Sequence, residues 1–435
     1  MRIFLGLFCL MISFSVQSSG QTIITNKRSV TASEFRVDYS EFYDILHKKS
    51  RLEIYYQIYN SDLLFIRDGD KFGAKYSLSV SIHDKNNIPI ISETRDKEII
   101  VDQYSRTISR ADFRTGQLDF YLSPGKYKVE CFLLDNNSKK SVKKTFNVTA
   151  HKFDRRKPQV SGIEFVFAVD SVIYDSAFIK SGMTIIPNVG RVYGEDTASV
   201  FGYYFEIYKG KSKAEKVLIE TRLLDRKLKT MHFDSVTVAF DGPIIAQLRQ
   251  IALRKFKGGE YTLEIILKGY RGRSVDNSKK TFNIYWSPEA MVLNDYKTAV
   301  RQLKYIAVPS EMKEIEKISS SEERLKAWEK FWDSRDPTPG TIENEARLSY
   351  YYRIEQANRR FSVMRRDGWQ TDRGMILIMY GEPDQIEDYP FEPNNRAYQI
   401  WSYYHVDSKP REFLFIDEWN NNDFILQYPY DGVRY

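Results

Sequence analysis

The residues whose types and spacing could do chemistry are six acids near the end of the chain: Glu382, Asp384 and Glu387, then Asp417, Glu418 and Asp423. Carboxylates act as an acid–base pair when their carboxyls lie roughly 5–10 Å apart, and several oxygens together hold a divalent cation. Nothing else in the chain offers as much. The five histidines include no His-x-His and no His-Glu-x-x-His, no cysteine pair stands at a metal spacing, and no Gly-x-Ser-x-Gly, P-loop or dinucleotide fingerprint occurs. Neither a metal nor a cofactor is therefore expected. The same acids also have a purely local reading. Gly381 and Pro383 set backbone angles, Asp384 caps a turn, and Asn420, Asn421 and Asn422 make a hairpin.

The elements that position these acids decide between the readings. They centre on Asp367 to Asp384, where a polar, glycine-flanked start leads into the apolar run Met375–Tyr380 and out through Gly381-Glu382-Pro383-Asp384. An apolar run between turn signals predicts a buried strand. Such a strand spans roughly 20 Å and keeps Asp372 away from Asp384. Three further runs, 397–406, 412–416 and 424–428, complete a four-stranded antiparallel sheet, most simply a meander. Alternate turns of a meander share an edge. Glu382, Asp384 and Glu387 would then meet Asp417, Glu418 and Asp423 at one end, and Asp372 and Arg373 would meet His405 and Asp407 at the other. The rival to local turns is thus an acidic cluster of Glu382, Asp384, Asp417 and Asp423.

Gly368-Trp369-Gln370-Thr371-Asp372 spells the motif that names the GWxTD-domain family, and Tyr380-Gly381-Glu382-Pro383-Asp384 resembles its second signature. The resemblance covers roughly Trp328 to Asp431. It implies a secreted protein of Bacteroidota or related bacteria and implies no particular reaction. It singles out Gly368, Trp369, Thr371, Asp372, Arg373, Gly381, Glu382, Pro383 and Asp384 as structural or binding residues. The residue types favour a joint: Gly368 permits a positive φ, Trp369 anchors the preceding helix on the sheet, and Thr371 and Asp372 bond backbone donors. A binding site explains Trp369 and Asp372 but leaves Gly368 and Gly374 incidental.

Upstream the period is two. Leu52, Ile54, Tyr56 and Ile58 point one way, and Tyr76, Leu78, Val80 and Ile82 repeat the pattern, with turn signals between. Gly125-Lys-Tyr-Lys-Val-Glu130 leading to Lys144-Thr-Phe-Asn-Val148 is matched by Gly259-Glu-Tyr-Thr-Leu-Glu264 leading to Thr281-Phe-Asn-Ile284. This internal repeat predicts two tandem immunoglobulin-like β-sandwiches, 21–157 and 158–286, with Tyr127 and Tyr261 as tyrosine corners. After Trp286 the period becomes helical. Val292 to Ile306 reads as one helix ended by Pro309, Ser320 to Glu323 as a capping box before a second, and Thr341 as the start of a third carrying Tyr350, Ile354, Ala357 and Phe361. Residues 287–435 are thus a helical segment plus a small α+β domain.

Arg2, the apolar stretch Ile3 to Val16, and Ser18, Ser19 and Gly20 form a secretory signal peptide, residues 1–20. Its removal leaves Cys131 alone, a small buried hydrophobe with no disulfide partner. Four Asp-Ser/Thr triplets, at Asp170, Asp175, Asp196 and Asp234, resemble the O-glycosylation motif of Bacteroidota. A net charge of +7 from 65 basic and 58 acidic residues, without a long like-charged cluster, excludes nucleic acid as the main partner. No later run is long enough for a membrane span. The resulting expectation is a periplasmic or outer-membrane-associated binding or scaffolding protein without catalytic activity, with an envelope protein or a glycan as partner. The alternatives are a hydrolase or cation-dependent enzyme using the acids at one end of the C-terminal sheet, and a carbohydrate-binding protein.

Overall fold

The computed structural model describes residues 35–109, 112–153, 156–170, 176–194, 200–254, 256–269, 272–339, 344–363, 366–390, 396–404 and 410–427. The expected signal peptide, Thr341, His405, Asp407 and the triplet at Asp196 lie outside these residues, as do parts of the triplets at Asp170 and Asp175. The chain divides into two compact units. One comprises Met1–Tyr193, Val200–Leu253 and Glu260–Ile284; the other comprises Gly194–Ser199, Arg254–Gly259 and Tyr285–Tyr435.

Among the described residues the first unit is sheet, apart from turns and short helical segments. Strands β1 (Arg36–Asp44), β2 (Lys49–Tyr59), β3 (Ile66–Asp68), β4 (Lys71–His83) and β5 (Pro89–Val101) precede a short helix α1 (Tyr104–Thr107); β6 (Phe113–Leu122), β7 (Gly125–Asp135) and β8 (Ser141–Ala150) follow. They make a sheet β1-β2-β6 facing a sheet in which β5, β4, β7 and β8 are successive neighbours, with β3 on β4. Leu52, Ile54, Tyr56 and Ile58 pack between them with Leu78, Val80, Ile82 and Cys131. Burial pushes the Cys131 thiol up to about 12, which keeps it protonated and inert.

The next strands are β9 (Gln159–Val160), β10 (Glu164–Asp170), β11 (Ile179–Lys180), β12 (Met183–Pro187), β13 (Val192–Tyr193), β14 (Val200–Tyr208), β15 (Lys216–Asp225), β16 (Thr230–Ala239), β17 (Ile244–Ala252), β18 (Gly259–Lys268) and β19 (Ser274–Ile284). Here β10-β14-β17 repeats the order of β1-β2-β6, and β16-β15-β18-β19 repeats that of β5-β4-β7-β8. Tyr127 and Tyr261 are each the third residue of the corresponding strands, β7 and β18. The Tyr127 hydroxyl donates to Ser123 O at 2.8 Å, while Tyr261 stacks on Phe282.

Two strands are buried on both faces. In β2 the residues opposite the core, Glu53, Tyr55 and Gln57, are as inaccessible as Leu52 and Ile54. In β14 every residue after Val200 is buried. Phe42 of β1 packs with Val166, Ile185 and Tyr204, so the β1-β2-β6 and β10-β14-β17 sheets meet back to back.

The second unit begins with helices. Val292 to Ile306 is not one helix: α2 (Pro288–Asn294) and α3 (Tyr296–Gln302) break at Asp295, and a 3-10 turn, Leu303–Tyr305, follows. Pro309 opens α4 (Pro309–Glu316) rather than ending a helix, since a first-turn proline forfeits no helical bond. Then come α5 (Ser321–Asp333), with Trp328, Phe331 and Trp332 buried, and α6 (Glu345–Phe361), with Tyr350, Ile354, Ala357 and Phe361 buried. Asn344 caps α6 through the Arg347 amide at 2.9 Å.

The run Met375–Tyr380 is not a strand. It belongs to helix α7 (Asp372–Tyr380). Its signals are helical: Thr371 accepts the Gly374 amide as N-cap, Asp372 lies in the first turn, and Gly381 stops the helix at φ +84°. The four-stranded antiparallel sheet is built instead from β20 (Gln385–Tyr389), β21 (Tyr398–Tyr403), β22 (Arg411–Asp417) and β23 (Phe424–Leu426), in chain order.

Candidate functional site

Moving the first strand from 375–380 to 385–389 reverses which acids share an end of the sheet. Asp384 N bonds Ser402 O and its carboxylate takes the Tyr404 amide at 2.7 Å, which places it at the 402–404 end. Asp417 N bonds Ala397 O, at the opposite end of β21. About six extended residues, roughly 20 Å, separate them. The rival arrangement, a cluster of Glu382, Asp384, Asp417 and Asp423, therefore does not form. Each member has its own partner. Glu382 pairs with Arg360 at 2.5 Å, Asp417 accepts the Asn421 and Asn422 amides at 3.1 and 2.8 Å, and Asp423 takes Arg366 through both oxygens at 2.5 Å. Among the described residues, no three His, Cys, Asp or Glu are placed to hold a metal ion.

Asp372 and Arg373 join the Asp417 end. The Asp372 carboxylate accepts the Leu426 amide at 2.9 Å. The buried Arg373 guanidinium donates to Asn422 O at 2.8 Å and stacks over Phe424 and Phe361. Burial lowers the Arg373 pKa to about 10, partly offset by Asp417 and Asp423. At the other end of α7, Arg353 donates to Ile378 O and the Tyr403 hydroxyl to Gly381 O. Pro383 lies in the link between Gly381 and β20.

The glycines have a physical role that sequence reasoning missed. Gly368 lies in a 3-10 turn, Gly368–Gln370, without a positive φ. A Cβ on it would lie 1.8 Å from Ala357 O in the backbone of α6; one on Gly374 would lie 1.9 Å from Gly368 O. Three backbone segments touch here, and only glycine fits twice. Thr371 closes the joint by donating to Gly368 O at 2.7 Å. Trp369 is buried, with its amide on Asn358 Oδ1 and its carbonyl accepting the Tyr305 hydroxyl. The cations over its ring, Arg301 and Lys304, come from α3 and the turn after it.

A second set of residues had no motif to announce it. Between the two back-to-back sheets of the first unit, Lys180 donates to Glu53 at 2.5 Å, to Glu164 and to the Tyr55 hydroxyl, all of them buried. Burial raises the Glu164 pKa to about 7 against the pull of Lys180. Nearby, Lys280 pairs with Asp38 at 2.8 Å and donates to Tyr39 O and Ile163 O; desolvation lowers it to about 8. A cavity of about 510 Å³ opens beside Lys280, Glu41 and His151. Its charges bond to one another: Glu41 accepts from Ser50 and from the ring and amide of His151. The arrangement clamps the two sandwiches together. The signal available was the Phe201–Tyr208 run, interrupted only by Gly202 and Glu206, which lacks an alternating solvent face.

Comparison with known proteins gives one family match. Residues 273–431 match the GWxTD domain. No curated protein matches the chain. Among solved structures, a glycosyl hydrolase family 2 member from Bacteroides cellulosilyticus is similar at 9% identity, with 54% of this chain and 26% of that chain covered and a TM-score of 0.24. Bacteroides uniformis beta-glucuronidase gives 9%, 55%, 27% and 0.21 in the same order. A putative beta-galactosidase from Bacteroides fragilis gives 8%, 53%, 32% and 0.21. The chain spans about a quarter to a third of the length of these proteins, and TM-scores this low assign it neither their fold nor their activity.

Proposed function

We propose that this chain, whose residues 273–431 match the GWxTD domain, is a non-enzymatic binding or scaffolding protein of the cell envelope. It would be exported by a cleaved signal peptide and carry two tandem immunoglobulin-like sandwiches ahead of its C-terminal domain. One observation carries the reading: the carboxylates nearest to a catalytic set lie at opposite ends of the sheet, each engaged by an arginine or a backbone amide. The motif residues meanwhile account for themselves as a joint of backbone contacts. The clamped sandwiches suit a spacer or contact surface, because the buried ion pairs resist reorientation about the seam.

The test is affinity isolation from envelope fractions with residues 21–435, together with screening against glycoside, ester and peptide substrates. A saturable envelope partner and no turnover are expected. Turnover abolished by Asp384→Asn, or a melting temperature that falls by several degrees with chelator only when Asp384 is present, would establish the hydrolase alternative.

A further inference from the structure

The C-terminal sheet has two faces, and the helices account for one. Residues paired across antiparallel strands share a face. Trp401, paired with Ile386 and Phe413, packs on Phe361 of α6, while Tyr403 and Phe413 pack on Tyr380 of α7. The register puts Tyr389, Tyr398, Ile400, Leu414, Ile416 and Ile425 on the opposite face. Tyr389 is 40% exposed and the other five are half-buried. The outer face of an antiparallel sheet is ordinarily polar. An apolar outer face marks an interaction surface.

The charges on that face are all of one sign. Glu387 pairs with Ile400 across β20 and β21, and Glu412 pairs with Ser402 across β21 and β22; the strand residues of this face include no lysine or arginine. They stand out in a chain whose net charge is +7. A second copy applied face to face would bring four carboxylates together. A sugar ring would need an open aromatic platform, yet Tyr389 and Tyr398 stack on each other at 4.4 Å and the centre of the face is aliphatic. The dimensions suit a helix. Strands of this length run about 17–23 Å, the length of a helix of about 12–15 residues.

We propose that this face docks a basic amphipathic helix of a partner protein. Its apolar stripe would cover Ile400, Leu414 and Ile416, and its lysines or arginines would reach Glu387 and Glu412. The proposal rests on reading the chain as a binding protein, and gives that reading a surface and a partner chemistry.

The probe is a fluorescein-labelled helical peptide of leucine and lysine, about 14 residues long, titrated with the full chain at low and high salt. The parent is expected to bind in the micromolar range, more weakly at high salt. Glu387→Lys with Glu412→Lys should raise Kd by about tenfold or more, the change expected on losing one to two charge pairs. Ile400→Asp with Leu414→Asp should do the same. Glu322→Lys, on the exposed face of α5, should change nothing. Thermal melts confirm that each variant is folded; of the first pair Glu412 is exposed, and the half-buried Glu387 accepts only from the neighbouring Gln385 and Tyr389 side chains. Absent binding by the parent, or equal binding by the face variants, overturns the proposal. Self-association lost in the Ile400→Asp variant would assign the face to a second copy, and glycan binding lost in Tyr389→Ala would assign it to sugar. Either result also overturns it. Turnover lost on Asp384→Asn would instead overturn the non-enzymatic reading and leave the peptide titration as it stands.

Discussion

The seam between the sandwiches and the joint beneath α7 are both closely packed, yet they are held in different currencies. The seam is closed by side-chain charge. One ammonium, Lys180, serves two buried carboxylates, and Lys280 serves Asp38. The joint is closed by backbone. Gly368 lies against the α6 main chain, Gly374 lies against Gly368, and hydroxyl and carboxylate groups bond main-chain atoms. Charge can be supplied by several residue types at several positions, so it leaves no fixed pattern. Backbone contact admits only glycine at the point of closest approach, so it leaves a readable one.

The largest expected effects test that distinction directly. Lys180→Ala leaves two carboxylates buried without a cation and should destabilise the first unit by roughly 3–5 kcal/mol. Adding Glu53→Gln and Glu164→Gln to Lys180→Met should recover most of the loss, because an apolar and neutral replacement of a buried ionic set is often tolerated. Trp369→Ala should cost the second unit roughly 3–5 kcal/mol, as for other truncated buried tryptophans. Gly368→Ala should cost about 1–3 kcal/mol or more from overpacking, and no side-chain change should rescue it, since the atom it meets is Ala357 O. Urea unfolding of each variant, followed by far-ultraviolet circular dichroism, reads all four. Rescue of Gly368→Ala by a neighbouring substitution would break the comparison.

A smaller effect sharpens the seam. Glu164 is held near pKa 7 in the folded chain against 4.5 for the unfolded residue, chiefly by burial. The folded state therefore holds a proton that the unfolded state releases. The resulting stabilisation is complete below pH 4.5 and is lost as pH rises through about 7. Lys180 and Lys280 face the same group and oppose the rise, while Glu53 adds to it. Stability of the first unit should fall by about 1–3 kcal/mol between those limits, and Glu164→Gln should flatten that part of the profile. A profile identical in parent and variant would show that Lys180 keeps Glu164 ionised throughout.

How much of this was legible follows the same line. The alternation in β2 and β4 and the repeated Gly-x-Tyr endings pointed to paired sheets, and the strand order repeats. The motif pointed to a joint, although its glycines act by close approach rather than by a positive φ. Met375–Tyr380 reads as a strand because a run of six apolar residues is too short and too uniformly apolar to show a period. The cap at Thr371 carried the decision instead. Reading that run as a strand puts a helix in place of the first strand and brings together acids that lie about 20 Å apart. The seam was hidden because Glu53, Tyr55 and Gln57 alternate as a solvent face would, and only a second sheet reveals that they are covered.

The smallest expected effect bears on whether the motif is a joint or a site. Asp372 stands in the first turn of α7 and accepts the Leu426 amide, tying that helix to β23. Asp372→Ala removes one acceptor and one favourable charge at a helix start, worth about 1 kcal/mol by analogy with lost caps. The loss should fall on the second unit alone and leave the seam of the first intact. Asp372→Asn keeps an acceptor oxygen and should recover part of it. A binding site predicts the reverse ordering: Asp372→Ala and Trp369→Ala would both unfold with the parent chain and both lose an envelope partner. If denaturation shows parental stability in both variants while partner capture disappears, the backbone contacts at Gly368 and Gly374 serve a site, and the joint is secondary.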